Sequence, residues 1–262
     1  KGKAKRTIME QAQLVLKSYM SKKIDEGYSA SIEKVGAVIL PMLANKWDPS
    51  KSKMTDMMYI QPKLDGVRAL LSTKGLITRT GKPIHSLPNI KAPPGLKDGE
   101  YIDGELYSHI IPFDTISGVI RQLEPCNENI TFHAFDYFDV NNVEMEFHER
   151  IQKLKTLWKT VVDTRKCSKA SIEMELNRLI QDGYEGIMIR SINGKYTINE
   201  RSNDLLKYKR FHDKEYKIVG AKEGIGRDKG TVVWVCETEH RGPHFRVRPA
   251  DTREKRMWYW DH

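Results

Sequence analysis

The chain has 262 residues, of which 39% are hydrophobic and 30% are charged, the composition of a globular protein with one large domain, or one domain and a small module. No apolar run has the length of a membrane-spanning helix, and no apolar signal-peptide core follows the basic N-terminus. The formal net charge of +9 favours a polyanionic partner such as nucleic acid, although charge alone leaves open a basic protein without one. The cysteines (Cys126, Cys167 and Cys236) are odd in number and far apart, which indicates an intracellular, reducing compartment.

In chain order, the helical spacing of apolar residues first predicts a helix over residues 7–26. A loop is expected from about residue 41 to residue 52. Between residues 59 and 138, short apolar runs separated by turns predict strands, for example at 75–78, 99–106 and 130–136. Because their connections are short, most of these strands are expected to pair antiparallel.

Two amphipathic helices follow, at residues 145–158 and 168–181, and Ser168 is the expected N-cap of the second. Strands return at 186–189 and 205–209. The pattern changes near residue 212, where strands joined by a glycine-rich loop indicate a small β-barrel module. The sequence therefore predicts an α+β fold with one domain over residues 1–211 and a second over residues 212–262.

The most informative segment is Lys-Leu-Asp-Gly at residues 63–66. An Asp-Gly pair is typical of a tight turn, because glycine adopts positive φ at little cost. Apolar, strand-like residues precede and follow the pair, so Lys63 is expected at the mouth of a strand–turn–strand unit. A lysine amine is nucleophilic only when neutral, and burial or a neighbouring cation favours that form. Taken alone, the segment is also compatible with a solvated hairpin lysine.

Further segments bring two carboxylates, an aromatic face and two lysines to predicted strand ends. Because Lys207 and Lys209 are two residues apart on a strand, they are expected to face the same side and to contact one anion together. Each segment alone could be a turn, a core strand or a solvated edge, so the order of the set carries the information. The segments are Asp-Gly-Glu-Leu at 103–106, Phe-His-Ala-Phe-Asp at 132–136, Glu-Gly-Ile-Met-Ile-Arg at 185–190 and Leu-Leu-Lys-Tyr-Lys at 205–209.

From about residue 41 to residue 209, this ordered set resembles the covalent nucleotidyltransferase superfamily of ATP-dependent DNA ligases, RNA ligases and mRNA capping enzymes. Residues 41–44 and 77–84 are most similar to small DNA ligases of viral or bacterial type. The resemblance implies a nucleotidyltransferase (adenylation) domain of antiparallel sheets flanked by helices, followed by a partial OB-fold barrel. It implies a monomeric enzyme that uses ATP and Mg²⁺ to seal 5′-phosphate/3′-hydroxyl nicks in duplex DNA. An RNA ligase, a capping guanylyltransferase and a non-catalytic nucleic-acid-binding module remain alternatives.

The resemblance also implies roles for individual residues in nucleotide binding. Lys63 would attack the α-phosphorus of ATP and carry AMP as a phosphoramide. Lys207 and Lys209 would favour its neutral amine by like-charge repulsion and neutralise the phosphate. Gln61 occupies the position of a residue that reads adenine, and Phe135 would stack on the base.

The remaining roles concern metal and DNA. Glu105 would bind the ribose or a metal, and Glu185 would help to hold Mg²⁺, a hard cation suited to carboxylates and phosphates. Arg68 and Arg79 would grip the ribose-side phosphate or the 5′-phosphate at a nick, since the guanidinium fork suits phosphate oxygens. Asp65 is expected to shape its turn.

The C-terminal part departs from the pattern of the family. Only 50 residues follow residue 212, about half of what a five-stranded barrel usually needs. No convincing sixth, basic motif is present, although residues 253–256 form a basic, helix-like stretch. The sequence therefore predicts an incomplete barrel, and sealing of a pre-adenylylated nick that is more efficient than reaction with free ATP.

Overall fold

The computed structural model describes residues 7–25, 39–50, 54–126, 129–210, 214–238 and 242–262. The chain divides into two compact units, Lys1–Arg210 and Phe211–His262. The division lies one residue before the boundary predicted between residues 211 and 212.

The helices are α1 (Ile8–Asp25), α2 (Phe113–Ile120), α3 (Phe147–Leu157), α4 (Ile172–Gln181) and α5 (Arg253–Asp261). The strands of the first unit are β1 (Leu43–Lys46), β2 (Met57–Lys63), β3 (Val67–Ser72), β4 (Gly75–Thr78), β5 (Glu100–Tyr107), β6 (Thr131–Asp139), β7 (Arg165–Ser168), β8 (Gly186–Arg190) and β9 (Arg201–Tyr208). The strands of the second unit are β10 (Ile218–Glu223), β11 (Val232–Glu237) and β12 (His244–Val247).

One sheet of the first unit has five strands in the order β1-β9-β8-β2-β7. Its strands pair antiparallel, except that β1 and β9 are parallel. Helix α4 covers this sheet, because its apolar stripe, including Leu176 and Leu179, is buried with Ile60 and Ile187.

The other sheet has four antiparallel strands in the order β4-β3-β5-β6. Helices α2 and α3 pack on it and bury Ile116 and Ile151 with Leu71 and Ile102. A third cluster joins the two sheets and includes Leu70 from β3 and Leu205 from β9. Burial of each large apolar side chain contributes about 1.5–3 kcal/mol, so this cluster stabilises the contact between the sheets.

Most predicted elements of the first unit are present, and the differences have local causes. The loop predicted over residues 41–52 is wrong at β1, because Leu43–Lys46 pairs with β9. Ser168 does not cap α4, because a short 3₁₀ turn intervenes and the hydroxyl of Ser168 bonds that of Ser171, 2.8 Å away. Helix α2 and strand β7 were not predicted. The longest apolar run of the sequence, at residues 35–40, has the length of a strand and lies mostly outside the described residues.

The second unit is an antiparallel sheet in the order β10-β11-β12 with helix α5, and its described residues form no closed barrel. The basic stretch at 253–256 holds the loop before β11. Arg253 donates to the carbonyl oxygens of Arg227 and Lys229, and Arg256 pairs with Asp228 at 3.0 Å. The predicted α+β class is confirmed, with antiparallel sheets and helices in the first unit and an open sheet in the second.

Candidate active site

A cavity of about 220 Å³ lies between the two sheets of the first unit. One wall comes from β1, β2, β8 and β9, and the other from β3, β5, β6 and the residues after β4. The predicted site residues that line it are Gln61, Lys63, Arg68, Arg79, Glu105, Phe135 and Lys207. The other two lie at its edge, because Glu185 contacts Lys63 and Lys209 contacts Glu185.

Strand register explains why distant motifs meet here. In the five-stranded sheet, Lys63 is opposite Gly186. In the four-stranded sheet, Arg68 is opposite Glu105, and Glu105 is opposite His133. The ends of β2 and β3 thus connect the two sheets and bring their motifs to one cavity.

The glycines of the motifs allow close approach of strands rather than a tight turn. Gly66 does not have positive φ, so the expectation of a left-handed turn residue is wrong. A Cβ atom at Gly66 would lie 2.3 Å from the carbonyl oxygen of Leu106, and one at Gly186 would lie 2.3 Å from that of Tyr208. Both positions therefore exclude any larger residue, because the opposing atoms are backbone.

Lys63 and Lys209 share the carboxylate of Glu185. The Nζ atom of Lys63 donates to one oxygen of Glu185, and the Nζ atom of Lys209 donates to the other at 2.6 Å. Although partial burial opposes it, these hydrogen bonds hold the pKa of Glu185 below its ordinary value. Glu185 is therefore a carboxylate at neutral pH and orients the Lys63 amine.

Cationic side chains line the same cavity. Partial burial, together with the charge of Lys63 and then that of Arg201, lowers the pKa of Lys207. Arg79 acts on Lys207 in the same direction, so the like charges lie within interaction distance. Such a group of cations favours a bound polyanion, because the anion relieves their mutual repulsion.

Glu105 is the acidic group inside the cavity. Burial raises its pKa to about 8, even though Arg68 and Lys63 favour the charged form. At neutral pH, Glu105 is therefore mostly protonated and can donate a hydrogen bond to a hydroxyl group. It must lose its proton before it can bind a cation.

The carboxylates fit Mg²⁺ of the kind that is held jointly with a substrate. Mg²⁺ is commonly bound through one or two carboxylates together with substrate phosphates. Glu185, which is hydrogen-bonded to Lys63, and Glu105, which lines the same cavity, can provide carboxylates of that number. Within the described part of the chain, no group of three or more His, Cys, Asp or Glu side chains is arranged as a metal cage.

Arg68 is oriented by a buried carboxylate. Its Nε and Nη2 atoms donate to the two oxygens of Asp103 at 2.9 and 2.6 Å. Asp103 also accepts from the hydroxyl of Tyr196 at 2.6 Å. The guanidinium of Arg68 lies 5.3 Å from the ring centre of Phe135, so it faces the position expected to stack on a base.

Asp136 is the centre of a second buried network. Arg150 donates to it at 2.8 Å and Arg190 at 2.6 Å. Although burial opposes it, these guanidinium groups hold the pKa of Asp136 below its usual range. Arg190 also donates through Nε to Oε1 of Gln61 at 2.6 Å, so the network reaches the cavity.

Several of these residues have no role predicted from the sequence. Asp103, Asp136 and Arg190 lie inside the sequence motifs, whereas Arg150, Tyr196 and Arg201 lie outside them. A charged residue within an apolar strand, such as Asp136, could have indicated the buried network. A charge at such a position is buried only when an opposite charge pairs with it.

The family model for the ATP-dependent DNA ligase domain matches residues 41–209. The chain belongs to the ATP-dependent DNA ligase family. A DNA ligase of African swine fever virus is 32% identical over 215 residues, which cover 72% of this chain and 50% of that protein. A DNA ligase of Haemophilus influenzae is 26% identical over 198 residues, which cover 71% of this chain and 69% of that protein.

Solved structures of DNA ligases have the same fold. A structure from a study of DNA binding by the minimal Lig E ligases has a TM-score of 0.66 at 24% identity, over 83% of this chain and 86% of that one. The Chlorella virus DNA ligase-adenylate has a TM-score of 0.54 at 20% identity, over 86% of this chain and 87% of that one. The comparisons favour the DNA ligase prediction over an RNA ligase, a capping enzyme or a non-catalytic module.

The match to this ligase family has a defined extent. The chain spans about half the length of the viral relatives that it matches. Among its described residues, no helix combines the length and the apolar character needed to cross a membrane.

Proposed function

We propose that this chain is the catalytic part of an ATP-dependent DNA ligase that carries AMP on Lys63 and seals 5′-phosphate/3′-hydroxyl nicks in duplex DNA. The observation that carries the proposal is the position of Lys63, hydrogen-bonded to Glu185 in a cavity that Lys207, Arg79 and Arg201 also line. A nucleophilic amine beside a set of cations suits attack on a polyphosphate.

In the first step, Nζ of Lys63 attacks the α-phosphorus of ATP. A nitrogen–phosphorus bond forms, the bond to pyrophosphate breaks with its electron pair, and the amine loses a proton. Glu185 accepts a hydrogen bond from this amine and orients it. Because the pKa of Glu185 is held below its ordinary value, this carboxylate does not retain the proton of the amine, and the proton passes to solvent. Lys207 and Arg201 neutralise charge on the phosphates.

Glu185 and deprotonated Glu105 would hold Mg²⁺ together with phosphate oxygens. Bound there, Mg²⁺ supplies charge neutralisation at the reacting phosphate. Glu105 in its protonated form would instead contact the ribose, and Phe135 would stack on the base. Lys209 holds Glu185 in place through the carboxylate oxygen that Lys63 does not use.

In the second step, the 5′-phosphate at a nick attacks the phosphorus of the lysyl-AMP and releases Lys63. In the third, the 3′-hydroxyl attacks the activated 5′-phosphate and releases AMP. Arg79 is exposed at the cavity and Arg68 is fixed by Asp103, so both are candidates to grip the 5′-phosphate. The net charge of +9 suits duplex DNA as the partner.

The enzyme would act as a monomer in a reducing, intracellular compartment, consistent with free Cys126, Cys167 and Cys236.

The test is intact mass after incubation with ATP and Mg²⁺. We expect one AMP per chain in the wild type and none in Lys63→Ala or Lys63→Arg, because a guanidinium remains protonated and cannot attack. Lys97→Ala removes an exposed lysine outside the cavity and should keep the adduct. AMP on Lys63→Arg, or no adduct on the wild type, would contradict the proposal.

The DNA partner is tested with nicked and intact duplexes. Transfer of AMP from the adenylylated protein to a nicked 5′-phosphate, with none to an intact duplex, would support nick sealing. Binding should weaken with salt, with a slope of about −0.9 in log K against log salt for each phosphate neutralised. Salt-independent binding would contradict the electrostatic part of the proposal.

A further inference from the structure

The side-chain amide of Gln61 is held in one orientation on the floor of the cavity, where the residue is 1% exposed. Its Nε2 atom donates to the carbonyl oxygen of Phe135 and to the hydroxyl of Thr164, both at 2.9 Å. The Thr164 hydroxyl donates to the carbonyl of Val162 at 2.9 Å, so it acts as an acceptor toward Gln61. Both N–H groups of the amide are therefore directed into the protein.

Arg190 fixes the other end of the amide. Its Nε atom donates to Oε1 of Gln61 at 2.6 Å. A flipped amide would place an N–H group against this donor and an oxygen against the carbonyl of Phe135. Both contacts would be repulsive in a buried site, so the hydrogen bonds select a single orientation.

A locked amide can offer a ligand only an acceptor. A carboxamide oxygen has two lone pairs, and Arg190 uses one of them. In adenine, an exocyclic amine that donates occupies the place of the guanine carbonyl oxygen, which only accepts. An acceptor fixed at the base edge therefore pairs with adenine and leaves the guanine oxygen facing another oxygen.

We propose that Arg190 is a positioning residue that fixes Gln61 as an acceptor toward the nucleobase, so that the cavity takes an adenine rather than a guanine nucleotide. This inference rests on the proposed function, because it assumes that the cavity holds the base of the nucleotide that reacts with Lys63. It assigns the choice of base to a residue that acts through Gln61.

The same arginine also orients the expected stacking residue. The guanidinium of Arg190 lies 5.5 Å from the ring centre of Phe135, and Gln61 bonds the carbonyl of that residue. Arg190 is itself held by Asp136 at 2.6 Å. Arg190 therefore contacts both the residue expected at the edge of the base, Gln61, and the residue expected on its face, Phe135.

Arg150 provides a matched control within the same network. It donates to the same Asp136 carboxylate and is equally buried, with a side chain 2% exposed. Its further hydrogen bonds go to the carbonyls of Met145 and Gly194 rather than to Gln61, and it does not line the cavity. A structural defect at Asp136 should therefore arise from either arginine, but a change in base choice only from Arg190.

The experiment measures initial rates of covalent adduct formation with ATP and with GTP by intact mass. The variants are Arg190→Lys, which keeps the charge beside Asp136 but loses the fork of donors, Gln61→Met, their combination and Arg150→Lys. We expect the ATP:GTP rate ratio to fall about tenfold or more in Arg190→Lys and in Gln61→Met. The combined variant should lose no more selectivity than either single one, because Arg190 acts through Gln61. Arg150→Lys should keep the wild-type ratio.

The outcomes separate the two proposals. No adduct on the wild type with either nucleotide would overturn the proposed function and this inference with it. A labelled wild type whose Arg190→Lys variant keeps the wild-type ratio would overturn this inference alone. Additive losses in the combined variant, or an equal loss in Arg150→Lys, would also overturn it, because either result makes the effect independent of the amide. Melting temperatures of all variants identify losses of folded protein, which change both rates together and leave their ratio intact.

Discussion

Two layers of charge surround the cavity, and they lie at different depths. The cationic rim is defined by Lys63, Arg79, Arg201 and Lys207, which are exposed or half-buried. The buried layer is defined by Arg68, Asp103, Asp136, Arg150 and Arg190, of which only Arg68 is more than slightly exposed. Within the buried layer every arginine contacts an aspartate, whereas the rim carries cations in excess of the nearby carboxylates.

The buried layer fixes the shape of the cavity, whereas the rim provides the groups for its chemistry. A charge in a low-dielectric interior persists only when it is paired, so the buried layer uses its hydrogen bonds to fix positions. A cation in contact with solvent can be left for an external anion at little cost. Changes in the buried layer should therefore act first on stability, and changes at the rim first on chemistry.

The largest effect is expected from Asp136→Asn, which leaves two buried guanidinium groups without their carboxylate. Removing one partner of a buried ion pair costs about 3–5 kcal/mol, and the melting temperature should fall by roughly 10 °C. Because the pKa of Asp136 is held below its ordinary value of 3.8, the stability that it contributes is present above that pH and lost only in stronger acid. Thermal melts at pH 7, pH 4 and pH 2.5 would measure it.

A matched control for that prediction is Asp163→Asn. Asp163 pairs with Arg165 at 2.5 Å, but both side chains are more than half exposed. Such a pair contributes about 0–1 kcal/mol, so the melting temperature should barely change. Equal losses in the two variants would contradict the distinction between the buried layer and exposed pairs.

The next effect is expected at the edge of the rim. Glu185→Gln removes the charge that orients Lys63 and that would hold Mg²⁺, so adenylylation should slow by about a hundredfold or more. Its side chain is 23% exposed and its lysine partners reach solvent, so the melting temperature should stay nearly unchanged. Single-turnover adduct formation and a thermal melt of the same preparation give both values. A large loss of stability with normal chemistry would assign Glu185 to the fold instead.

A smaller loss is expected when one cation of the rim is removed. Lys207→Met preserves length and removes a charge from the cavity, so the ATP concentration at half-maximal adduct formation should rise about tenfold. Lys74→Met, at an exposed position outside this cavity, is the control. An unchanged ATP dependence in Lys207→Met would remove Lys207 from the phosphate-binding group.

The two layers also differ in how far the sequence predicts them. Lys63 and Lys207 were identified because short motifs at strand ends carry them. The pairs of the buried layer join distant parts of the chain, because Asp103 lies 35 positions after Arg68 and Arg190 lies 54 positions after Asp136. A strand pattern indicates that a residue faces inward, but it does not reveal which opposite charge comes to lie beside it.

Contacts between distant parts of the chain also explain why the sequence does not predict the role of the motif glycines or the first strand of the fold. Asp65-Gly66 has the composition of a tight turn. Gly66 is instead required because the backbone of Leu106 passes close to it, and that close approach results from the pairing of β3 with β5. The strand Leu43–Lys46 was missed because its parallel pairing with β9 is non-local. By contrast, α3 and α4 have amphipathic patterns that are local, and they were predicted within a few residues.

At pH 5 the smallest effect is expected from Glu105, which lies between the two layers, because its contribution to stability depends on pH. Burial raises its pKa from an ordinary 4.5 to about 8, so the folded protein retains a proton there that the unfolded chain loses. Stability from this group is therefore greatest in acid and declines as the pH rises from about 4.5 to about 8.

Glu105→Gln carries no titrating proton. Its melting temperature should match the wild type near pH 5 and exceed it by roughly 10 °C at pH 9, since one pKa unit corresponds to about 1.4 kcal/mol and 1 kcal/mol to roughly 2–4 °C. Glu124→Gln, an exposed carboxylate outside the cavity, controls for the loss of one negative charge. A difference between Glu105→Gln and wild type that stays constant from pH 5 to pH 9 would mean that Glu105 is ionised throughout, and it would place this residue with the rim, ready to bind a cation without first losing a proton.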